Sequence, residues 1–450
     1  MTRKWEQTPF KKSLKYVGSS LVLACLSSQV FAAGFQIQEQ NASQLGLAYS
    51  GTAAIAEDAS TGFWNAAGLS KIQKSQMVLS GVVIDGSFKF KEVTNANSNI
   101  PLSPALGSED NAGQTALVPA FHVATRFADK WVIGFDVNVP FGLTTEYDDD
   151  SVARYVATKS KVETWNFSPS LAYQLLPCMS IGAGVDALYG KAVLNSNLGN
   201  SVSAEGFQHN FAEGWAWGFH AGVLWDILPT TRVGLSYRSR VNLHLEGDSE
   251  TLVPQAFAAL GFTPGVLSVR RVQSQVDLPE SVILSLYHVF DERFAATADV
   301  HWTNWSRVSN LRLSYSPPSG TSLVSDANNT VIGFQDTIRA AAGLLYTYDD
   351  RWTLKAGLAW DESPTTDQDR IARLPDQDRW WLAVGAAYNY NQNWRFDFGY
   401  AHIFFRNAHL DDSGPTRVDT GAPAAIAANL NANFSANANI VGVQARYDFV

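Results

Sequence analysis

Residues 352–360 read WTLKAGLAW, in which every second residue, counted from the first Trp, is alanine or large and apolar. The intervening positions are small or polar and include Lys355. Successive side chains of a β-strand point to opposite faces, so this stretch predicts a strand with one apolar and one polar face. The same alternation recurs at 233–245 and at 441–449.

Outward from this stretch, the alternation divides the chain into fourteen predicted strands. They lie near 76–90, 115–128, 130–143, 162–175, 178–193, 215–226, 230–246, 275–290, 292–314, 336–349, 351–361, 379–390, 392–407 and 438–450. An even number of antiparallel strands can close into a barrel with both chain ends at the same rim.

The connections between these strands alternate in length. Six are tight turns, near Asp129, Leu176-Pro177, Leu228-Pro229, Asp291, Asp350 and Asn391-Gln392. Seven are long loops, at about 91–114, 144–161, 194–214, 247–274, 315–335, 362–378 and 408–437. This interleaving is typical of outer-membrane barrels, in which short turns face the periplasm and long loops face outside. The sequence therefore predicts an all-β fold, a fourteen-stranded antiparallel transmembrane β-barrel.

The composition fits a barrel wall that meets lipid. Charged residues make up only 17% of the chain, below the ordinary ~25%, and aromatic residues make up 12%, with 14 Trp. Beyond the leader no run of 18 apolar residues occurs, which excludes helical membrane spans. The net charge of −9 argues against nucleic acid as a partner, because phosphates require a basic surface.

The first 32 residues predict a secretory signal peptide. A basic start precedes a short apolar core, Val17–Leu26, and the small-residue site 30–32 would leave Ala33 as the first mature residue. After this cleavage Cys178 is the only cysteine, so no intramolecular disulfide can form.

Residues 33–69 read AGFQIQEQNASQLGLAYSGTAAIAEDASTGFWNAAGL, a small and polar stretch without strand alternation. A fourteen-stranded barrel is wider than the eight-stranded kind that side chains can fill. We therefore expect residues 33–75 to form an N-terminal hatch, or plug, with short helices inside the lumen. Residues 76–450 would then form the barrel.

The chain resembles the FadL family of outer-membrane long-chain fatty-acid transporters. The motifs that carry the resemblance are the start AGFQIQEQ, LGLAYSGTAAIAEDAS, the NAA of the hatch, PFGLTTEYDDDSVARYVATKSKVETWNFSPSLAY, LSYRSRV, LPES, YTYDDRWTLKAGLAWDESP and LPDQDRWWLAVG. They run along the whole mature chain. The resemblance implies a fourteen-stranded barrel with an N-terminal hatch, in agreement with the strand count.

The resemblance also implies a gate. In the family an Asn-Pro-Ala tripeptide of the hatch lies at a kink in the third strand. The matching residues are Asn65, Ala66 and Ala67, so the proline is absent. The kink corresponds to Gly142, with Pro140 beside it, and both residue types weaken a strand ladder.

Phe35 matches a family position that reaches into the ligand pocket. A fatty acid further needs a polar partner for its carboxylate. The basic lumen candidates are Lys191, Arg238, Arg339, Lys355 and Arg395. Of these we predict Lys191 as ligand-binding, although each could instead be a wall residue paired with an acid. Two basic head-group positions of the family correspond to Ser196 and Gln335, so the head-group chemistry could differ.

The expected function is passive uptake of long-chain fatty acids across the outer membrane of a Gram-negative bacterium. Loops 144–161 and 194–214 would form the capture groove, and ligand would leave sideways near Gly142. Expected partners are outer-membrane lipid or lipopolysaccharide and the barrel assembly machinery. We expect a monomer with no cofactor, no metal and no enzymatic activity.

Three alternatives remain open. The substrate could be another hydrophobic compound, such as an aromatic hydrocarbon. The chain could be a nonspecific porin, which the hatch argues against. It could also be an outer-membrane lipid hydrolase, although we find neither a G-x-S-x-G motif nor a Ser/His pair on neighbouring predicted strands. The acidic run 146–150 lacks EF-hand spacing, and the histidines lack metal-ligand spacing.

Overall fold

The computed structural model describes residues 34–96, 111–198, 205–253, 265–316, 327–412, 418–419 and 430–449, and the predicted signal peptide lies outside these ranges. Fourteen strands, β1–β14, form one closed antiparallel barrel. They are β1 Gln76–Ala96, β2 Thr115–Ala128, β3 Trp131–Asn138 and Gly142–Glu146, β4 Lys159–Leu176, β5 Met179–Leu198, β6 Gly206–Leu228, β7 Thr231–Arg238 and Val241–Leu252, β8 Leu267–Leu278 and Ser281–Val289, β9 Phe294–Thr303 and Asn310–Ser316, β10 Ala327–Val331 and Thr337–Thr347, β11 Trp352–Asp361, β12 Arg379–Asn389, β13 Trp394–Phe405 and Ala408–Asp412, and β14 Leu430–Asp448. Among the described residues, no helix has the length and apolar character that a membrane-spanning helix requires.

Each strand pairs with its neighbours along the chain, and β14 pairs with β1 to close the wall. The closing register runs from Gln76 opposite Asp448 to Ala96 opposite Leu430. Val418–Asp419 is a further short strand, which pairs with β10. The predicted fourteen-stranded antiparallel barrel is confirmed.

The strands at the long-loop end are longer than the alternation predicts. The predicted loop 194–214 is largely strand, because β5 continues to Leu198 and β6 begins at Gly206. Ladder hydrogen bonds join backbone groups and need no apolar side chains, so pairing continues where the apolar pattern fades.

Several predicted strands are interrupted. β3 breaks between Asn138 and Gly142, and β8 breaks at 279–280. Pro140 and Pro279 occupy these breaks, and a proline has no N–H to donate to a ladder. The break in β3 falls at the kink that the resemblance implies.

The two faces of the wall differ as predicted. On β11, Leu354 and Leu358 are 46% and 48% exposed on the outer face, whereas Lys355 and Ala359 are buried against the lumen. The apolar face of each such strand therefore points away from the lumen contents, towards the lipid.

Residues 34–75 fill the lumen, and nearly all of them are buried. They form a 3₁₀ turn at Leu45–Leu47, one helical turn, α1, at Thr61–Trp64, and a 3₁₀ segment at Ala66–Lys71. The hatch packs directly on wall backbone: a Cβ atom built on Gly357 would lie 2.1 Å from the carbonyl carbon of Leu47. Wall glycines thus admit close backbone approach.

Candidate functional site

An apolar cavity lies between the hatch and the long-loop end of the barrel. Its apolar lining comprises Phe35, Leu143, Val162, Ala192, Leu194, Ala212, Leu243, Leu245, Val272, Val276, Leu278, Val308, Leu311, Leu313, Ile332, Phe334, Ile371 and Leu374. Its polar lining comprises Ser160, Lys191, Asn210, Ser274, Asn310 and Arg373. The open volume is about 100 Å³, whereas pockets that hold drug-sized ligands measure ~300–1,000 Å³. A long ligand could enter only if part of this lining moved.

Phe35 forms the hatch side of the cavity and sits in an aromatic cluster. Its ring centroid lies 4.8 Å from that of Trp305 and 5.9 Å from that of Phe141. The preceding Gly34 has φ of +63°, and its N–H donates to Asp376 Oδ2 at 2.9 Å. A Cβ atom on Gly34 would lie 2.8 Å from the Trp305 ring, so only glycine fits there. The sequence did not point to Trp305.

Two cationic residues border the cavity in different ways. Lys191 shares the outer face of β5 with Tyr189, and its Nζ lies 5.6 Å from the Tyr189 ring centroid. Arg373, on the loop after β11, donates from Nη1 to Ser160 Oγ at 3.0 Å and to Asn195 O at 3.2 Å. Of the two, only Arg373 is held over the cavity by a contact with its lining. A role for the Lys191 ammonium in ligand binding stays a prediction.

The break in β3 opens the barrel ladder. β2 pairs with β1 from Thr115 onward but with β3 only from Phe121 onward. Within the described ranges, the second segment of β3 pairs with β4 on one side only. Above this gap, Glu146 N donates to Ala112 O at 3.3 Å. The wall therefore has a lateral opening of limited height between β2 and β3.

The start of the hatch bridges this opening from inside. Ile37 N donates to Pro140 O at 2.9 Å, and Gly142 N donates to Phe35 O at 2.8 Å. The side chain of Gln40 bonds to Val139 O at 2.8 Å. Pro140 and Gly142 thus lie at the hatch contact, and Phe35 contributes to both the cavity and the bridge.

Asn65, Ala66 and Ala67 meet the wall elsewhere. Asn65 Nδ2 donates to Val223 O on β6 at 3.0 Å, and its Oδ1 accepts from Ala67 N at 3.1 Å. The backbone of Ala66 packs on Gly182 of β5, where a Cβ atom would lie 2.3 Å from the Ala66 carbonyl carbon. The contacts that bridge the break come from residues 35–40 and not from Asn65, which corrects the placement implied by the resemblance.

Most of the predicted basic lumen candidates hold the hatch. Lys355 Nζ bonds to Glu57 at 2.9 Å and to Asp397 at 3.2 Å, and Arg395 pairs with the same two acids. Burial alone would raise the pKa of Glu57, but Arg395 and Lys355 outweigh burial and lower it to about 2. Arg238 Nη2 donates to Phe63 O at 2.7 Å. These basic residues therefore act as wall residues paired with acidic or backbone groups, which is the alternative to ligand binding given above.

A second charged region faces the start of the hatch. Arg379, the first residue of β12, pairs with Asp361 at 3.0 Å and with Asp376 at 3.2 Å. Asp376 also accepts from Gly34 N, so it links Gly34 to β12. Glu39 is fully buried, and neither carboxyl oxygen has a hydrogen-bond partner among the described residues. Burial raises the pKa of Glu39 to about 7, against the opposing effect of Arg379 and Arg339.

A serine, a histidine and an aspartate meet on three adjacent strands, contrary to the prediction from sequence. Ser170 Oγ lies 3.0 Å from His220 Nε2, and His220 Nδ1 lies 3.1 Å from Asp186 Oδ2. Gly184 lies between them on β5, and its missing side chain leaves room for the His220 ring. All three groups are buried. Asp186 also accepts from Arg238 at 2.6 Å, so this cluster continues into the hatch contacts.

Within the described ranges, no group of three or more His, Cys, Asp or Glu side chains could hold a metal ion. Of the two positions that replace family basic residues, Ser196 lies in β5 and Gln335 precedes the second segment of β10. Gln335 N donates to Pro364 O at 2.8 Å, on the loop that carries Arg373.

Comparisons with known proteins agree over about nine-tenths of the chain. A family model described as "Outer membrane protein transport protein (OMPP1/FadL/TodX)" matches residues 23–449. The "Long-chain fatty acid transport protein" of Salmonella typhi is 29% identical, over 93% of this chain and 97% of its own length. "Outer membrane protein P1" of Haemophilus influenzae is 28% identical, over 93% of this chain and 95% of its own length.

Solved structures share the fold. A Pseudomonas aeruginosa FadL homologue superimposes with a TM-score of 0.81 at 22% identity, covering 93% of this chain and 100% of that one. The Pseudomonas putida toluene transporter TodX gives a TM-score of 0.68 at 17% identity, covering 93% and 100%.

Proposed function

Because the chain belongs to the outer membrane protein transport protein family (OMPP1/FadL/TodX), we propose that it carries long-chain fatty acids passively across the outer membrane. The acid enters from the long-loop end and binds in the apolar cavity. It then leaves sideways through the opening between β2 and β3 into the bilayer.

This proposal rests on one observation: Phe35 contacts both the cavity and the lateral opening. Its ring lines the cavity, and its carbonyl oxygen accepts from Gly142 N at the edge of the lateral opening. The cavity is too small for a long chain unless its lining moves. A ligand that displaces the Phe35 ring therefore pulls on the hydrogen bonds that close the opening.

The cavity chemistry suits an amphipathic acid. Its lining is largely aliphatic, and burial of an alkyl chain stabilises binding by ~0.8 kcal/mol per CH₂ group. The Arg373 guanidinium supplies a charge-assisted donor for a carboxylate at one end. This separation of an apolar slot from one cationic end favours a long-chain acid.

The contents of the lumen disfavour the porin alternative. The hatch packs on wall backbone on several sides and is tied to it by charged pairs. An aromatic hydrocarbon remains the second candidate, because the cavity is largely apolar and the structural neighbours include a toluene transporter. A hydrocarbon would leave Arg373 without a ligand contact, so palmitate and toluene distinguish the two candidates.

The test is uptake by liposomes that contain the purified protein. We expect palmitate to enter at least tenfold faster than toluene, relative to empty liposomes, and small sugars to remain outside. Equal entry of sugars and palmitate would disprove selective transport. A preference for toluene would favour the second candidate.

A variant pair tests the role of Phe35. Phe35→Ala removes a ring from the cavity lining and should weaken palmitate binding by at least tenfold, because the alkyl chain loses apolar contact. Phe63→Ala is the matched control, since Phe63 is equally buried in the hatch but does not line the cavity. Isothermal titration measures both, and equal dissociation constants for the two variants would contradict the role of Phe35.

A further inference from the structure

Two buried asparagines lie at the lower edge of the lateral opening. Asn138 ends the first segment of β3, and Asn166 lies directly opposite it on β4. Both side chains are fully buried. Asn138 and Asp136 lie on the same, lumen-facing side of β3. The break in β3 begins at the next residue, Val139.

The side-chain amide of Asn138 is unsatisfied. Neither its Nδ2 nor its Oδ1 has a hydrogen-bond partner among the described residues, and Asn166 Oδ1 also lacks one. Asn166 Nδ2, by contrast, donates to Asp186 Oδ1 at 2.8 Å. Buried polar groups are almost always hydrogen-bonded, so an amide with neither its donor nor its acceptor paired has the capacity to bind a further polar group.

The residue that follows this amide in the chain belongs to an apolar cluster that includes hatch residues. Val139 and the hatch residues Ile37, Phe63 and Trp64 belong to one apolar cluster. The Trp64 indole N–H is also buried, with no hydrogen-bond partner in the described part of the chain. Unpaired donors and acceptors next to an apolar cluster, beside the lateral opening, suit a polar head on an apolar chain.

We propose that Asn138, with Asn166 Oδ1, is a way-station for the head group of the transported acid in its neutral, protonated form. This inference rests on the lateral exit proposed above. An amide presents N–H and C=O side by side, and an uncharged carboxyl group presents C=O and O–H. The two match in a pair of parallel hydrogen bonds, with Asn138 Nδ2–H donating to the acid carbonyl and the acid O–H donating to Asn138 Oδ1.

The charges nearby favour the neutral acid over the carboxylate. Asp136 is bonded to His122 at 2.5 Å, and Asp186 is bonded to Arg238 at 2.6 Å, so each basic group already has an acidic partner. A ligand carboxylate would add an unpaired negative charge beside these acids. A neutral acid avoids this repulsion and is also the form that enters hydrocarbon readily. The carboxylate that leaves Arg373 takes up one proton from hydronium, which leaves a water molecule, before it reaches Asn138.

The test compares a probe that has the head group with one that lacks it. In liposomes containing the full-length mature protein, Asn138→Leu should slow palmitate uptake about tenfold and leave hexadecane uptake unchanged. The dissociation constant for palmitate should stay the same, because Asn138 does not line the cavity. Asn210→Leu is the matched control. Asn210 is a buried amide that lines the cavity, and its Oδ1 has no hydrogen-bond partner within the described ranges, so its loss should alter binding but not the exit rate.

Equal slowing of palmitate and hexadecane by Asn138→Leu would overturn the way-station, as would unchanged palmitate uptake. If the variant fails to fold, infrared spectra of carboxyl-labelled palmitate bound to the wild-type protein decide the question. A protonated carbonyl band that disappears in Asn138→Asp supports the proposal, and a carboxylate band alone overturns it. If the wild-type protein takes up neither probe, the proposed function itself fails, and the way-station fails with it.

Discussion

Two parts of the hatch are attached to the wall by different interactions. The leading segment, residues 34–41, is joined mainly by neutral hydrogen bonds, such as those with Pro140 and Gly142. The anchored segment, residues 53–71, is held by charged wall side chains, including the pairs of Glu57 with Lys355 and Arg395.

The difference indicates which part of the hatch can move. Each neutral hydrogen bond contributes ~0.5–1.5 kcal/mol net, whereas breaking one side of a buried ion pair costs ~3–5 kcal/mol. A ligand in the cavity touches Phe35, in the weakly held segment. We therefore expect transport to displace residues 34–41 while residues 53–71 continue to block water.

Removal of the main charged anchor should have the largest effect. Glu57→Ala removes one of the two acids that pair with both Lys355 and Arg395 among the described residues, leaving Asp397, and should destabilise the anchored segment by ~3–5 kcal/mol. We expect large, frequent openings in single-channel recordings. Lys71→Ala is the control, because its pair with Asp226 is partly exposed and contributes ~1 kcal/mol or less. Equal conductance of the two variants would remove the distinction between the segments.

The leading segment should respond to pH through Glu39. Its pKa is raised from 4.5 to about 7 by burial, with Arg379 and Arg339 opposing, and Tyr49 nearby stays neutral in this range. Between pH 4.5 and about pH 7, Glu39 is protonated in the folded leading segment but ionised in the released segment. The stability of the folded leading segment therefore falls as pH rises through this range. Above pH 7 the loss of stability of the leading segment reaches at most about 3 kcal/mol, because a pKa shift of one unit corresponds to ~1.4 kcal/mol.

Hydrogen exchange at pH 5 and pH 8, corrected for intrinsic rates, measures this effect. Residues 34–41 should exchange faster at pH 8, and Glu39→Gln should abolish the difference. Residues 53–71 should show no such change, because Glu57 has a pKa of about 2 and stays ionised in this window. A wild-type leading segment with the same protection at both values would contradict the assignment.

The fold follows from local patterns, but the site does not. Alternation at 352–360 fixes two faces of a strand, and a short turn fixes its antiparallel neighbour, so the count of fourteen needs only neighbouring residues. Strand ends were less accurate, since backbone pairing continues beyond the apolar pattern, as in β6.

Contacts that form only when the barrel closes cannot be predicted from the sequence. Arg373 reaches Ser160 across 213 residues, and the orphaned amide of Asn138 is visible only once β3 and β4 are paired. The placement of Asn65 was wrong because no local feature of the tripeptide specifies a wall strand. Gly182 and Gly222 provide the space for it on β5 and β6.

The smallest effect should come from substitution of Ser170. This substitution tests whether the cluster beside the anchored segment is structural or a hydrolytic site. Ser170, His220 and Asp186 have the spacing of a nucleophile, a base and an orienting acid. However, all three are buried, and Asp186 also binds Arg238, which holds Phe63 O. Ser170→Ala should therefore cost ~1 kcal/mol, the value of one hydrogen bond, and leave palmitate uptake unchanged. The wild-type protein should not hydrolyse p-nitrophenyl palmitate; hydrolysis that Ser170→Ala abolishes would establish the lipid hydrolase instead.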